Sequence, residues 1–175
     1  VPSDLEPVGA VGTAVHTLIA LLAAKGGSAP SVSEVREAGR AFVGKGRSPS
    51  SRQALRCAVT TLSAVYVRQF WPEGGRLIAS ERVIGEAALD LLWQLPDGGL
   101  QIDEVKTGIL AGTEHEPTVS QAVTQAVEGR RHLGSAFIGV RVVVLRRPQQ
   151  SFFVRADQAG YGPAQTERRS ASDRR

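Results

Sequence analysis

Three ionisable side chains sit in two stretches that otherwise read as the interior of a sheet. Asp90 lies in the apolar run from Ala87 to Leu95, and Glu104 and Lys106 lie in the run from Leu100 to Lys106. Residues two apart on a strand point to the same face, so Glu104 and Lys106 project together. A charge inside an apolar strand is costly unless it is paired or binds a metal. The group is therefore either a buried salt bridge, Lys106 with Glu104 or Asp90, or a carboxylate site for a hard divalent ion.

The turn between the two runs decides whether Asp90 joins the pair. A two-residue Asp97-Gly98 loop would set Asp90 against Val105 and turn it to the wrong face. A three-residue loop, Pro96-Asp97-Gly98 with Gly99 as the glycine of a bulge, sets Asp90 against Glu104. A shared site demands the three-residue loop, or a bulge elsewhere in the hairpin.

Asp90, then Glu104-Val105-Lys106, then Thr107-Gly108 resemble, in order and spacing, the core motif of the PD-(D/E)XK nucleases. The nearest likeness is to the RecB-like branch, which includes lambda exonuclease and the CRISPR-associated adaptation nucleases. Two flanking features strengthen it. Gly12-Thr13-Ala14-Val15-His16 is similar to that branch's upstream Gly-x-x-Val-His element, and Gln121 and Gln125 lie on the helix that follows the lysine strand, one turn apart. The tyrosine that usually follows the branch's glutamine by four residues is missing, so the choice between Gln121 and Gln125 stays open. The cluster-binding cysteines of some relatives are also missing, which removes the iron–sulfur subgroup.

The resemblance implies a restriction-endonuclease-like α/β core and a DNA nuclease dependent on Mg²⁺ or Mn²⁺, hydrolysing phosphodiester bonds by a metal-activated water. His16, Asp90, Glu104 and the Val105 carbonyl would bind metal, with Glu81 as a possible accessory that fits the spacing better than Glu86. Lys106 would orient the water or stabilise developing charge, and Gln121 or Gln125 would position water or phosphate. The pathway would be repair, recombination or phage defence, with DNA and a larger repair or defence complex as partners. The alternative is a catalytically silent nucleic-acid-binding or assembly module with the same fold.

The elements that must position these residues follow from periodicity. Thr13 to about Lys25, Ser31 to about Val43 and Ser50 or Ser51 to about Trp71 read as helices, the second opened by a Ser31/Glu34 capping box. The period then shortens. Arg76–Ile84, Ala87–Leu95 and Leu100–Lys106 read as a three-strand meander, Thr118–Leu133 as a crossover helix, Phe137–Arg146 as an interior strand and Ser151–Arg155 as a short edge strand. The expected architecture is one α/β domain over 1–158. A helical region spans about 12–72 and a mixed-sheet core about 75–156, followed by a disordered basic tail at 159–175. Glu114-His115-Glu116 reads as a mobile acidic loop.

Composition narrows the class. The chain has 175 residues, 42% hydrophobic and 22% charged, enough for one real core. Cys57, the single cysteine, excludes an internal disulfide and a cysteine-held cluster; it falls on the apolar side of its helix as inert packing. The apolar run from Ala14 to Ala24 is too short to cross a membrane, and the expected compartment is the cytoplasm. The chain holds no methionine and opens Val1-Pro2, for which the expectation is a processed, excised or non-standard start. Net charge is +4, with Arg36, Arg40, Lys45, Arg47, Arg52 and Arg56 concentrated in the helical region. That segment is the expected footprint for a nucleic-acid backbone, or alternatively a solvated helical face.

Overall fold

The computed structural model describes residues 8–26, 28–42, 49–108 and 115–159. Three helices, α1 (Val8–Ala24), α2 (Val32–Phe42) and α3 (Pro49–Gln69), precede the antiparallel strands β1 (Arg76–Ile84), β2 (Ala87–Gln94) and β3 (Leu100–Lys106). Helix α4 (His115–Leu133) crosses over to β4 (Phe137–Val144), which runs parallel to β3, and β5 (Phe152–Arg155) closes the sheet antiparallel to β4. The strand order is β1-β2-β3-β4-β5. It is a mixed five-stranded sheet flanked by helices with an N-terminal helical region, a restriction-endonuclease-like core.

The two faces of the sheet carry separate apolar layers. Val15, Leu18, Val59 and Tyr66 pack with Leu91, Trp93, Val105 and Val143 on the α1–α3 face. On the other face Leu92, Ile102, Val140 and Val142 meet Ala122 and Ala126 of α4. Small residues let α4 lie close to the sheet. At Gly129 an added Cβ would fall 2.5 Å from the Phe137 ring, so a larger residue there would push the helix away.

Several elements differ from their expected bounds. Helix α1 starts at Val8, which places Thr13 inside the helix as the carbonyl partner of the Thr17 hydroxyl and not as a cap. The Ser31/Glu34 box forms, with the Ser31 N–H donating to Glu34 at 2.7 Å and the Glu34 N–H to Ser31 Oγ at 3.2 Å. His115 and Glu116 belong to the first turn of α4, where Pro117 is tolerated because its missing N–H has no helical partner. Glu114, Lys45 and Arg47 lie outside the described residues, as do 160–175, while Ala156 and Ala159 are buried beside α4. Cys57 is exposed, not packed, since the buried stripe of α3 runs through Leu55, Val59, Leu62 and Tyr66. Among the described residues no helix is long and apolar enough to cross a membrane.

Candidate metal centre

The hairpin takes the register that a shared site requires. Leu91 pairs with Asp103, Leu92 with Ile102 and Trp93 with Gln101, so continuing the ladder sets Asp90 opposite Glu104. The Leu95 N–H donates to Gly99 at 2.8 Å and the Gly98 N–H to Leu95 at 2.9 Å, enclosing a Pro96-Asp97-Gly98 loop. Its left-handed residue is Gly98, at φ 86°, and not Gly99.

The ladder then forks. The Leu95–Gly99 bond makes 93/101, 91/103 and, by continuation, 89/105 the hydrogen-bonded pairs. Beyond 91/103 side chains take over the main-chain groups of Val105. Its N–H donates to Asp90 Oδ2 at 2.7 Å, and its carbonyl accepts from His16 Nε2 at 2.9 Å. His16 is brought there by α1, whose Val15, Leu18 and Ile19 are anchored in the core beneath the sheet.

The expected site residues fall into two adjoining groups. In the first, His16 Nδ1 lies 3.2 Å from Glu81 Oε1 and 3.4 Å from Asp90 Oδ1. One ligand atom from each of His16, Glu81 and Asp90 lies within 4.8 Å of the others. In the second, the buried Glu104 carboxylate receives Lys106 Nζ at 2.6 Å and Gln121 Nε2 at 2.9 Å on Oε1, and Gln125 Nε2 at 2.5 Å on Oε2. Lys106 Nζ also donates to Gln121 Oε1 at 3.0 Å. Gln121 is exposed and Gln125 buried, and both hold the same carboxylate. Glu104 is not a member of the three-residue group. Glu86 lies in the β1–β2 turn, where its N–H faces Glu128 of α4.

The two groups influence each other electrostatically. Burial and then the Glu104 charge push Asp90 up to about 6, against the opposing pull of His16 and the Val105 N–H. Glu81 adds to the push and occupies a left-handed conformation, φ 47°, a position non-glycine residues rarely take. Strain of this kind persists where the surroundings enforce it, and here the enforced residue turns its carboxylate toward His16.

The donor set fits a divalent cation. A carbonyl can only accept, so the Val105 bond assigns the proton of His16 to Nε2. Nδ1 then faces two carboxylate oxygens that are also acceptors. Such an arrangement needs a second ring proton, a protonated Asp90 carboxyl or a cation between the groups. An imidazole nitrogen with two carboxylate oxygens suits Mn²⁺ or Mg²⁺.

Asp103, which the motif-based reading passed over, carries a second buried charge next to Glu104 but on the opposite face. It accepts from Arg141 Nε at 2.9 Å, Gln101 at 2.8 Å and the Tyr66 hydroxyl at 2.5 Å. Burial first, then Asp103, holds the Tyr66 hydroxyl well above the usual tyrosine range. The available signal was a pair of opposite charges, Asp103 and Arg141, inside two strands that both read as interior. Of the basic residues expected to meet nucleic acid, Arg36 and Arg40 are exposed on α2, and Arg52 and Arg56 are half-buried on α3.

Fold and site together define a restriction-endonuclease-like domain with a His/Glu/Asp cluster able to hold a divalent cation at the sheet fork. No protein-family model matches the chain, and no curated protein matches it.

Proposed function

We propose that this chain is a metal-dependent DNA nuclease of the PD-(D/E)XK superfamily, in its RecB-like branch, acting in repair, recombination or defence. The observation that carries the reading is His16 Nδ1 set against two carboxylate oxygens while Nε2 is committed to Val105. His16, Glu81 and Asp90 would hold the ion. When bound, it would acidify a water and offset charge on a phosphate.

The chain's own residues prepare the rest. Lys106 has three ammonium N–H donors, and Glu104 and Gln121 take two of them among the described residues. The third is available to a water or a phosphate oxygen. Glu104 keeps that ammonium at the fork, and Gln121 limits its swing. The Val105 carbonyl, expected as a further metal oxygen, also accepts from His16 Nε2, which sets the orientation of the ring. Arg36, Arg40, Arg52 and Arg56, with Lys45 and Arg47, would track the backbone phosphates, giving binding that weakens with salt.

A second reading rests on the 2.6 Å Lys106–Glu104 ion pair. In it His16 is an imidazolium, the cluster is a closed salt-bridge network, and the domain binds nucleic acid without turnover. Labelled single- and double-stranded oligonucleotides incubated with Mn²⁺, Mg²⁺ or EDTA separate the two. Cleavage that needs the metal and is abolished by Asp90→Asn supports the nuclease. Retardation without cleavage at any metal concentration supports the binding module.

A further inference from the structure

Gln125 spans the fork from the α4 side. It is 1% exposed, and its side-chain N–H₂ donates to two different strands: to Glu104 Oε2 on β3 at 2.5 Å and to the Ala88 carbonyl on β2 at 2.7 Å. Both partners are acceptors, so the amide cannot be reversed without placing oxygen against oxygen. Its own Oε1 is buried with no hydrogen-bond partner among the described residues. A buried orphan acceptor is unfavourable, and it is tolerated here in the one orientation that lets both N–H groups bind.

The position of this contact matters more than its strength. Regular β2–β3 pairing ends at Leu91 and Asp103, although β2 begins at Ala87 and β3 ends at Lys106. Over that unpaired stretch the strands carry Asp90 and Glu104. The Gln125 amide ties Ala88, two residues before Asp90, to Glu104 itself. Ala122 and Ala126, both fully buried, bring α4 close enough for the side chain to reach.

We propose that Gln125 is a positioning residue: its two amide hydrogens set the separation of β2 and β3 at the fork, and thereby the cation affinity of the His16, Glu81 and Asp90 group. The second half rests on the metal reading above; the first does not. Outer partners of metal ligands typically contribute about 10–100-fold in affinity. Gln125 acts one step further out, through Glu104 and Ala88, so the lower end, about tenfold, sets the scale of the effect.

The test is Gln125→Leu, similar in bulk but without donors, compared with the wild-type chain. Amide hydrogen exchange is followed at Val105, which reports the fork, and at Val142, which reports the core. Mn²⁺ affinity is measured by electron paramagnetic resonance. The expected result is at least about tenfold faster exchange at Val105 with Val142 unchanged, and about tenfold weaker Mn²⁺ binding. If Gln125→Leu does not fold because Glu104 is left short of a donor, the same exchange comparison is made between Glu104→Gln and Glu104→Gln/Gln125→Leu, which bury no charge. Unchanged Val105 exchange, or equal acceleration at Val105 and Val142, overturns the positioning role. A wild-type chain that binds no Mn²⁺ overturns the metal reading, while the exchange data still decide the strap.

Discussion

His16 Nε2 sits 2.9 Å from the Val105 carbonyl, and this bond determines which ring nitrogen faces Glu81 and Asp90. The same residue of β3 donates its N–H to Asp90, so Val105 couples the histidine and the aspartate through its two main-chain groups. His16→Ala should therefore fold, yet bind Mn²⁺ more weakly and gain less melting temperature from it than wild type. Some activity should return at high Mn²⁺ because two carboxylates remain. An equal loss of stability with and without metal would make His16 a packing residue.

The pH dependence follows from Asp90. Burial and the Glu104 charge raise its folded-state value to about 6, so the folded chain holds this proton more tightly than the unfolded chain, whose carboxyl titrates near the ordinary 3.8. Metal-free stability should fall as pH rises from about 4 to about 6, by up to about 3 kcal/mol from this group, and then level off. Added Mn²⁺ competes with the proton, so its stabilising effect should be larger at about pH 7.5 than at about pH 5. Asp90→Asn removes both trends. Chemical denaturation across this range with and without Mn²⁺ checks the sign, and stability that rises over the window would contradict it.

Glu81 holds a left-handed backbone that glycine adopts freely. Glu81→Gly should leave metal-free stability unchanged or raise it by about 1 kcal/mol, while weakening Mn²⁺ binding. Opposite movement of the two quantities is the signature of strain kept for a ligand. A variant that loses stability would show that the Glu81 side chain serves the edge strand.

The two buried ion pairs on β3 should behave differently. Arg141→Ala removes two charged hydrogen bonds from Asp103, which is fully buried and keeps only the neutral Tyr66 and Gln101 donors, and should cost about 3–5 kcal/mol whatever metal is present. Lys106→Ala leaves Glu104 with its two glutamine donors and should cost less, about 2–3 kcal/mol, while cutting cleavage by several orders of magnitude. Glu104→Gln should abolish cleavage and also lower the melting temperature, because its amide N–H₂ would meet a donor where the carboxylate accepts from Lys106 and Gln121 or from Gln125. Melting curves paired with single-turnover cleavage separate these outcomes, and an active Lys106→Ala would remove the lysine from the chemistry.

Local geometry was legible in the sequence because it depends on near neighbours. Strand periodicity alone puts Glu104 and Lys106 on one face, and they meet at 2.6 Å. The Pro96-Asp97-Gly98 turn carries the register that opposes Asp90 to Glu104, although which glycine takes the left-handed turn depends on the hydrogen bonds closing the loop. Ser31 and Glu34 announce their helix because a capping box closes within four residues. Tertiary structure decided which partner each charge found. Continuing the register past Leu91 and Asp103 opposes Asp90 to Glu104, yet Asp90 turns to a histidine on α1 and Glu104 to glutamines on α4. That division follows from where the β2–β3 ladder stops and which helix covers each face. His16 meets Val105 across 89 residues, and Asp103 meets Arg141 across 38. No local period encodes such distances; they are set when helices of particular lengths and small contact residues settle onto a sheet whose last rungs are filled by side chains.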